Sequence, residues 1–443
     1  MPSALSASSL GYATSLVLEQ RWRQQIRALS LREGMWLYSR IVQQDDPAQG
    51  WKIHVSATVV SAAEVFSRAL PVLREHDVLF KVPAKLSLLA QLNFGSPGFS
   101  QIGKFITIYP RSAHEAVALA RKLHVATRGE AAPEIPFDLR YRRNSLVYYR
   151  YGAFAPGRNG KPARIFDETG KPHADRRAPG AAVPAWLNDP FRGRPATQPK
   201  ATGPIGLDYI VFKAFAQRGK GGVFEALDLS VSPARLVVIK QGRRHGDTDW
   251  MGEDGFTRVK REGRTLRVLH SAGIPVPKVY REFRHRSHYF LVLEKVLGRS
   301  LLPPKREHPA KPSPQRAWKI LREVGTLLSR LHAAGWVWRD CKPSHIFLRS
   351  SSLRAIDFEG ACRINDTDVL PWASPNYVPP SYRKEFARRR IGIFEDDYAL
   401  GVICFQFVAG EFPPASRRTR EQVYRRTGCP KFLRDRIERL LAV

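Results

Sequence analysis

Two acidic segments in the last third of the chain constrain its fold more than any other feature of the sequence. The first, WRDCKPSHIFL (residues 338–348), has Asp340 two positions before Lys342, followed by a short apolar run. The second, AIDFEG, places Asp357 17 residues after Asp340. Carboxylates beside a lysine suit phosphoryl transfer, because they can orient a hydroxyl and hold the cation that accompanies phosphate. We therefore expect a fold that brings both segments to one cleft.

Three upstream features belong to the same chemistry. The segment RGKGGVFEALD contains Gly219, Gly221 and Gly222, which let a backbone approach phosphate oxygens closely. Lys240 ends the strand-like run LVVIK, and Glu262 lies in the helical pattern VKREGRTLRVL. A strand lysine oriented by a helix carboxylate is a recurring device for holding nucleotide phosphates. Each feature alone also fits a turn or a solvated side chain, but their order along the chain favours one nucleotide site.

Together these segments resemble a protein kinase. Strand-like runs (ARLVVIK, HYFLVLEK) precede helix-rich sequence, which is the order of the small and large kinase lobes. The resemblance implies that Asp340 accepts or orients the proton of the substrate hydroxyl, that Lys342 meets the transferred phosphate, and that Asp357 binds magnesium. Asp396 in DDYALG would tie the catalytic loop to a core helix. The predicted nucleotide-binding residues are Gly219, Gly221, Gly222, Lys240, Glu262, Glu294 and Val296.

Two positions depart from the kinase pattern. The catalytic loop has His345 where a magnesium-binding asparagine belongs, and Glu359 replaces the glycine of Asp-Phe-Gly. An imidazole nitrogen suits magnesium poorly, so the predicted metal ligands, Asp357 and His345, are unequal. Because the other catalytic residues are present, we favour an active, atypical kinase that uses ATP or GTP with magnesium. The alternative is a pseudokinase that only presents a peptide to another site.

The N-terminal part of the chain predicts a separate α+β domain. From about residue 51 to 154, β-rich runs such as WKIHVSATVV and GKFITIYP alternate with helical patterns such as SAAEVFSRALPVLREH. Lys52 and His54 are two residues apart on a predicted strand and therefore share a face. A phosphate pocket would suit the cations on four predicted strands, although a basic protein also has basic strand faces. These cations are Lys52, Lys81, Lys104 and Arg150.

The segments GWKIHVSAT, VLFK, GKFITIYP, YYRYGAF and VPAWLNDPF resemble the lyase domain of class III lanthipeptide synthetases, which is similar to bacterial phosphothreonine lyases of the OspF type. Together with the kinase, the resemblance covers about residues 45–443. Such enzymes phosphorylate Ser and Thr of a precursor peptide and then eliminate the phosphate, leaving dehydroalanine and dehydrobutyrine. The implied fold class is α+β, with an OspF-like lyase domain followed by a bilobal kinase-like domain.

The resemblance also implies roles for the five residues of the first domain. Lys81 would be the general base that removes the α-proton, and Lys52 would stabilise the enolate-like charge. His54 would protonate the departing phosphate, and Lys104 and Arg150 would bind it; this elimination needs no metal. For Lys81 to act as a base, its pKa must fall from ~10.4 toward ~7 to 8, through burial and neighbouring cations.

The charge of the chain bears on its partners. Lys and Arg number 72 against 40 Asp and Glu, which gives a net charge of +32 and favours a polyanionic partner. A nucleotide, a phosphopeptide and an acidic leader segment of a precursor peptide all qualify. A nucleic-acid-binding protein is a further alternative, but the chain lacks a recognised nucleic-acid motif.

Cysteine usage and hydropathy bear on the compartment. The four cysteines show no metal-ligand spacing, which predicts reduced thiols, a cytoplasmic protein and no structural metal. We find no signal peptide. No apolar run approaches the ~18 residues of a membrane span.

The expected organisation is an N-terminal extension (1–45), a lyase domain (46–154), a Gly/Pro/Arg-rich linker (155–205) and a kinase domain (206–443). Within the extension, the opening MPSALSASSLGY is expected to be disordered and residues 14–33 to form a solvated amphipathic helix. A class III enzyme continues into a cyclase domain, whereas this sequence ends at Val443. The expectation is that ring formation comes from a separate cyclase, happens spontaneously, or does not happen.

Overall fold

The computed structural model describes residues 7–29, 31–155, 157, 163–191, 204–206, 208–303, 306–349, 352–366, 372, 374–379 and 392–442. Within these ranges the chain forms an N-terminal α+β domain and a second domain of two lobes. The predicted fold class, α+β with a bilobal second domain, is confirmed. A search of the same residues finds no helix with the length and apolar character of a membrane span.

The N-terminal domain is built on one antiparallel sheet. Its strands are β1 (Leu31–Glu33), β2 (Trp36–Tyr38), β3 (Gln49–Val55), β4 (Leu79–Pro83), β5 (Ile106–Tyr109), β6 (Leu139–Arg140) and β7 (Val147–Ala153). They are arranged in the order β1-β2-β4-β5-β3-β7-β6. The helices are α1 (Ala7–Ile26), α2 (Ala62–Glu75), α3 (Leu86–Phe94) and α4 (Ala113–Ala126). Apolar residues of β3 and β5 form the core with α1, α2 and α4, which leaves the alternate residues of these strands for a polar cavity.

The first helix differs from its prediction. It begins at Ala7, within the segment expected to be disordered, and ends at Ile26, after which residues 31–33 form β1. It is not a solvated element, because Trp22 is fully buried and its ring lies 5.3 Å from that of Phe66. The indole N–H of Trp22 donates to the carbonyl of Pro83 at 3.1 Å. Burial of this one large aromatic side chain therefore anchors the predicted extension to the domain.

The predicted linker also contributes to the N-terminal domain. Its described part contains the hairpin β8 (Arg164–Phe166) and β9 (Pro172–Ala174). Further along, the ring of Phe191 stacks on Tyr149 of β7 at 3.9 Å, and the hydroxyl of Tyr149 donates to Asp189 at 2.7 Å. Residues 163–191 therefore complete the core instead of acting as a spacer, although their Gly/Pro/Arg-rich composition predicted a linker or long loop.

The small lobe of the second domain is a six-stranded sheet with one helix. The strands are β10 (Pro204–Ile205), β11 (Tyr209–Arg218), β12 (Gly221–Asp228), β13 (Arg235–Gly242), β14 (Val279–His285) and β15 (His288–Glu294), in the order β10-β11-β12-β13-β15-β14. Helix α5 (Gly255–Ser271) begins at Asp254, whose carboxylate accepts the backbone N–H of Thr257 at 2.8 Å. This N-cap fixes the start of the helix that carries Glu262.

The large lobe is mainly helical. It contains α6 (Pro314–Ala333), α7 (Phe394–Ala409), α8 (Arg417–Arg426) and α9 (Lys431–Leu441). Short strands between α6 and α7 are β17 (Trp336–Val337), β18 (Ile346–Arg349), β19 (Ser352–Ala355) and β20 (Cys362–Arg363), and β16 (Arg299–Ser300) precedes α6. Helix α6 buries a stripe at helical spacing, which comprises Ile320, Leu321, Val324, Leu327, Leu328 and Leu331. This core supports the segments that carry Asp340 and Asp357.

The two domains touch at the edge of the nucleotide-binding lobe. The backbone N–H of Gly219 donates to the carbonyl of Phe94, at the end of α3, at 3.0 Å. The guanidinium of Arg243 lies 5.0 Å from the ring centre of Phe99, and a ring nitrogen of His288 lies 3.3 Å from a carboxylate oxygen of Glu134. The glycine-rich segment predicted from the sequence is therefore part of the boundary between the domains.

Candidate active sites

The first candidate site is a polar cavity of about 450 Å³ on the sheet of the N-terminal domain. All five residues predicted for this domain line it, and they come from four strands and one loop. Residues from β1, β2, β5 and the segment after β9 complete the wall. The lining includes Lys52, His54, Lys81, Lys104, Arg150, Glu33, Trp36, Tyr38, Thr107, Tyr109 and Arg177.

Strand register brings the predicted residues together. Lys52 of β3 lies directly opposite Arg150 of β7. His54 of β3 and Lys81 of β4 are both opposite Thr107 of the intervening strand β5. Directly paired residues of an antiparallel sheet project from the same face. The sheet therefore places the base, acid and phosphate-binding candidates on one surface, although Lys52 and Lys81 are far apart in the chain.

Burial changes the protonation of the two lysines. The side chain of Lys52 is nearly fully buried, which with the charge of Arg150 lowers its pKa from 10.5 to about 7. Burial also lowers the pKa of Lys81, to about 8, with Glu33 opposing and Arg177 assisting the shift. An ammonium group loses hydration when it is buried, so the neutral amine is favoured. Both lysines can therefore exist as neutral amines near physiological pH, which a general base requires.

Aromatic rings surround the amine of Lys81. Its Nζ lies 4.6 Å from the ring centre of Trp36, 5.7 Å from that of Tyr38 and 6.0 Å from that of Tyr109. These rings remove water from the amine while their faces still accept its positive charge. Trp36 and Tyr38 lie on β2, inside the predicted extension, so the sequence analysis did not include them in the site.

His54 is held by a carboxylate that sequence analysis missed. Its Nδ1 lies 2.6 Å from Oδ2 of Asp138, and Oδ1 of Asp138 lies 3.2 Å from Nζ of Lys104. Burial favours the neutral acid, but Lys104 and the hydrogen bond with His54 outweigh it and hold the pKa of Asp138 well below its usual range. Since Asp138 is 84 residues from His54, no local spacing revealed the pair.

The protonation of His54 itself depends on what enters the cavity. Burial, assisted by the charge of Lys104, lowers the pKa of His54 from 6.5 to about 3, although Asp138 opposes the shift. The imidazole is therefore neutral when no anion is bound. A phosphate dianion beside the ring would favour the imidazolium, because an opposite charge stabilises the protonated form.

Two arginines have different surroundings at the phosphate-binding end. Arg150 is buried, and its guanidinium pairs with the carboxylate of Asp175, which lies in the segment predicted as a linker. Arg177, two residues further along, is exposed and lines the cavity. The charge of Arg177 therefore faces the cavity, and it was not predicted because its segment had the composition of a loop.

The second candidate site is the cleft between the two lobes. Nζ of Lys240 lies 2.6 Å from Oε1 of Glu262 and 2.8 Å from Oδ1 of Asp357. Burial disfavours all three charges, but their mutual attraction raises the pKa of Lys240 and holds that of Asp357 well below its usual value. The structure thus brings the strand lysine, the helix carboxylate and the second acidic segment into contact.

The catalytic-loop residues lie beside this group. Nζ of Lys342 is 3.0 Å from Oδ2 of Asp340, and it donates to Oγ of Ser374 at 2.8 Å. The hydroxyl of Ser374 in turn donates to Oδ1 of Asp340 at 2.6 Å. Oxygens of the buried Asp396 accept the backbone N–H groups of residues 338 and 339, each at 2.8 Å, which fixes the loop as expected for this position. A hydroxyl can therefore be held between Asp340 and Lys342, and Ser374 is the one residue of this trio that was not predicted.

His345 lies between the two catalytic aspartates. Its Nδ1 is 3.2 Å from the carbonyl oxygen of Asp340, and its Nε2 is 3.4 Å from Oδ2 of Asp357. Burial lowers the pKa of His345, although both aspartates oppose this shift, so the neutral imidazole is favoured. A neutral imidazole has only one N–H, and it bridges the carboxylates more readily than it binds magnesium.

The glycine-rich segment approaches its neighbours closely. A Cβ at Gly219 would lie 1.6 Å from the carbonyl oxygen of Asn93, and one at Gly221 would lie 1.6 Å from that of Gln241. Lys220, between them, forms an ion pair with Glu359, and its Nζ lies 5.4 Å from the ring centre of Trp372. Glycine is required at both positions by backbone contacts, and the lysine ties this loop to the second acidic segment.

The two remaining predicted nucleotide-binding residues follow the last strand of the small lobe. The carboxylate of Glu294 accepts from Arg354 at 2.7 and 3.1 Å and from the backbone N–H of Lys278 at 3.0 Å. Its side chain is therefore held by these groups, and any contact with a nucleotide would come from the backbone. Val296 is half-buried two residues later.

The cleft has ligand atoms for a divalent cation. Asp340, His345 and Asp357 each offer one ligand atom within 4.8 Å of the others, and so do Glu262, Asp357 and Glu359. Oε1 of Glu359 is buried without a hydrogen-bond partner. Magnesium prefers hard oxygen ligands, so the carboxylates of this cleft fit the ion.

The fold and the cleft define a protein kinase domain preceded by a distinct α+β domain. Residues 217–436 match the family model of the protein kinase domain, and residues 16–203 match that of the RamC N-terminal domain. The chain therefore joins a RamC N-terminal domain to a protein kinase domain, and the predicted resemblance to class III lanthipeptide synthetases is confirmed.

Individual relatives match the same regions. A protein named Probable SapB synthase from Streptomyces coelicolor is 32% identical over 390 residues, which cover 84% of this chain and 40% of that protein. Serine/threonine-protein kinase D from Synechocystis is 29% identical over 144 residues, 32% of this chain and 28% of the relative. Serine/threonine-protein kinase pkn2 from Myxococcus xanthus is 27% identical over 216 residues, 46% of this chain and 25% of the relative. The chain thus spans less than half the length of these relatives.

Proposed function

We propose that this chain dehydrates serine and threonine residues of a ribosomally made precursor peptide in two steps. The kinase domain phosphorylates the hydroxyl, and the N-terminal domain eliminates the phosphate to leave dehydroalanine or dehydrobutyrine. The observation that carries the proposal is the convergence of Lys52, His54, Lys81, Lys104 and Arg150 on one cavity, in a chain that also has a kinase cleft. The name of the Streptomyces coelicolor relative, a probable synthase, agrees with a biosynthetic role.

In the first step the γ-phosphoryl group of ATP or GTP passes to the peptide hydroxyl, and the nucleoside diphosphate leaves. Asp340 orients the hydroxyl and takes up its proton, while Lys342 lies within hydrogen-bond distance of the same position. Lys240, held by Glu262 and Asp357, binds nucleotide phosphate. Magnesium, when bound by carboxylates of the cleft, neutralises charge on the phosphates.

In the second step Lys81, as a neutral amine, removes the α-proton of the phosphorylated residue. The electron pair of the broken Cα–H bond forms the Cα=Cβ bond, and the Cβ–O bond breaks with its electrons on the phosphate oxygen. The ammonium of Lys52 stabilises charge that develops on the peptide carbonyl, and His54 gives a proton to the departing phosphate. Lys104, Arg150 and Arg177 supply the positive charge that holds the phosphate.

The partners follow from the same chemistry. Besides the nucleotide, the enzyme needs an extended peptide that can reach both sites, and the net charge of +32 favours an acidic leader segment. Both substrates are present where peptides are made, so we place the reaction in the cytoplasm. If the product carries rings, a separate cyclase is a further partner.

A second candidate function is elimination alone, with the kinase domain acting as a scaffold. The observation that favours it is His345, which bridges Asp340 and Asp357 where the kinase pattern has a magnesium ligand. In that case the chain would accept a phosphopeptide made by another kinase.

One experiment separates the two candidates. The purified chain is mixed with a Ser/Thr-rich precursor peptide encoded beside its gene, with MgCl₂ and either ATP or GTP, and the peptide is analysed by mass spectrometry. A parallel reaction uses the same peptide with phosphoserine incorporated by synthesis and no nucleotide. Loss of water in the first reaction and loss of phosphoric acid in the second support the proposal. Loss only in the second supports the scaffold alternative, and loss in neither rejects both.

A further inference from the structure

Asp357 belongs to two clusters of ligand-type side chains. One cluster joins it to Asp340 and His345, and the other joins it to Glu262 and Glu359. Protein kinases of the usual pattern have an asparagine at position 345 and a glycine at position 359. This chain has therefore lost an oxygen ligand on one side of Asp357 and gained a carboxylate on the other.

The groups on the His345 side already have partners. The imidazole contacts the carbonyl oxygen of Asp340 at 3.2 Å and Oδ2 of Asp357 at 3.4 Å. The carboxylate of Asp340 contacts Lys342 and Ser374. This side offers a nitrogen where magnesium prefers oxygen.

The groups on the Glu359 side are incompletely paired. Oε1 of Glu359 and Oε2 of Glu262 are buried, and neither has a hydrogen-bond partner. The side chain of Glu359 is 3% exposed and that of Glu262 is fully buried. A buried carboxylate oxygen without a partner is costly, so two of them within one cluster point to a cation that completes the site.

The nearby positive charges belong to two lysines. Lys240 pairs with Glu262 and Asp357, and Lys220, from the glycine-rich loop, pairs with Glu359. Lys220 thus supplies positive charge to Glu359 from a loop that also faces the nucleotide phosphates. Its ammonium can turn to the phosphates when a metal ion takes its place beside the carboxylate.

We propose that the divalent cation accompanying the nucleotide is bound on the Glu359 side of Asp357, with Glu359 as a ligand that replaces position 345. Mg²⁺ is the ion that the oxygen-rich ligand set fits. Glu262 adjoins the ion, and its oxygen without a hydrogen-bond partner faces the same cluster. The inference rests on the proposed kinase half-reaction, since it assigns the metal of that step.

The test measures metal binding directly. Mn²⁺, which replaces Mg²⁺ at oxygen sites and is paramagnetic, is titrated into the full chain by electron paramagnetic resonance with the β,γ-imido analogue of ATP present, and in parallel with that of GTP. Variants are Glu359→Gln, Glu359→Asp, His345→Ala, Lys220→Met and Asp357→Asn. Glu438→Gln is the matched control, because its carboxylate is also held by a cation, Arg420, but lies in α9.

Glu359→Gln should weaken Mn²⁺ binding at least about tenfold, as loss of a charged ligand does, and Glu359→Asp should restore part of the affinity. His345→Ala and Lys220→Met should keep the affinity within about threefold of the unmodified chain, and Glu438→Gln should not change it. Asp357→Asn, which removes the ligand common to both clusters, should abolish binding.

The assignment is wrong if Glu359→Gln binds Mn²⁺ like the unmodified chain, or if His345→Ala causes the larger loss. It is also wrong if the unmodified chain binds no Mn²⁺ with either analogue. Thermal unfolding of each variant separates loss of a ligand from loss of the fold. Because no peptide is present, intact Mn²⁺ binding without peptide phosphorylation would reject the proposed function and leave the metal assignment standing.

Discussion

The backbone N–H of Gly219, in the glycine-rich loop of the kinase domain, donates a hydrogen bond of 3.0 Å to the carbonyl of Phe94 in the N-terminal domain. The loop that should cover the nucleotide phosphates is thus attached to the domain that holds the elimination cavity. Phe94 ends α3, and Gln101, shortly after it, lines that cavity. The two sites are therefore physically connected through one short segment.

Substitution of Gly219 by alanine should damage this connection. The added Cβ would lie 1.6 Å from the backbone carbonyl of Asn93, so the loop or α3 must move. We expect a lower melting temperature and weaker nucleotide binding, both measurable by thermal unfolding with and without nucleotide. Gly325→Ala in α6 is the matched control, because its Cβ meets only Leu400 at 3.7 Å and alanine favours a helix by ~1 kcal/mol. Equal melting temperatures for both variants would contradict the interdomain contact.

Removing the base or the acid should uncouple the two half-reactions. Lys81→Ala and His54→Ala lie in the N-terminal domain, so phosphorylation should continue while elimination falls by ~10²- to 10⁴-fold. Phosphopeptide should accumulate, seen by mass spectrometry as added phosphate in place of lost water. If both variants dehydrate the peptide at the unmodified rate, the assignment of this cavity as the lyase site fails.

Asp138→Asn should slow elimination although Asp138 is not expected to touch the substrate. The carboxylate orients His54 at 2.6 Å and neutralises Lys104, and an amide does neither as well. We expect a fall of ~10² to 10⁴ in kcat for a phosphoserine peptide with phosphorylation unaffected. Asp189→Asn is the control, since Asp189 is equally buried but accepts from Tyr149 outside the cavity lining. A loss of the same size in the control would indicate a purely structural role for Asp138.

The pH dependence of elimination should report the base. Lys81 must be neutral to remove a proton, and its pKa is lowered from 10.5 to about 8. Below that pH the protonated fraction dominates, so kcat/KM for a phosphoserine peptide should rise about tenfold per pH unit and level off above about 8. Lys52 has a pKa of about 7. A rise centred near 7 in initial-rate profiles would therefore assign the base to Lys52 and contradict the role of Lys81.

His345 should be compatible with phosphoryl transfer. The unmodified chain should dehydrate its precursor in the presence of magnesium and nucleotide, and Asp357→Asn should abolish phosphorylation because it removes a carboxylate that also positions Lys240. The measurement is incorporation of labelled phosphate into the peptide. If the unmodified chain incorporates none while His345→Asn does, the histidine has inactivated the kinase, and the scaffold alternative replaces our proposal.

Much of the kinase cleft was predictable because its chemistry requires particular residue types in a fixed order. Lys240, Glu262 and Asp357 were predicted together, and they meet at 2.6 and 2.8 Å. Lys52 and His54 were assigned to one face by the two-residue period of a strand, which the cavity lining bears out. These features depend on local pattern, which a sequence contains.

Only the tertiary structure decided which distant groups complete the sites. Asp138 reaches His54 across 84 residues, and Arg177 and Trp36 enter the first cavity from segments whose composition predicted a linker and an extension. The pKa of Lys81 depends on burial by rings from other strands, because loss of hydration is a property of packing. The sequence determined the residue types and their order, and the fold determined their distances and their exposure to water.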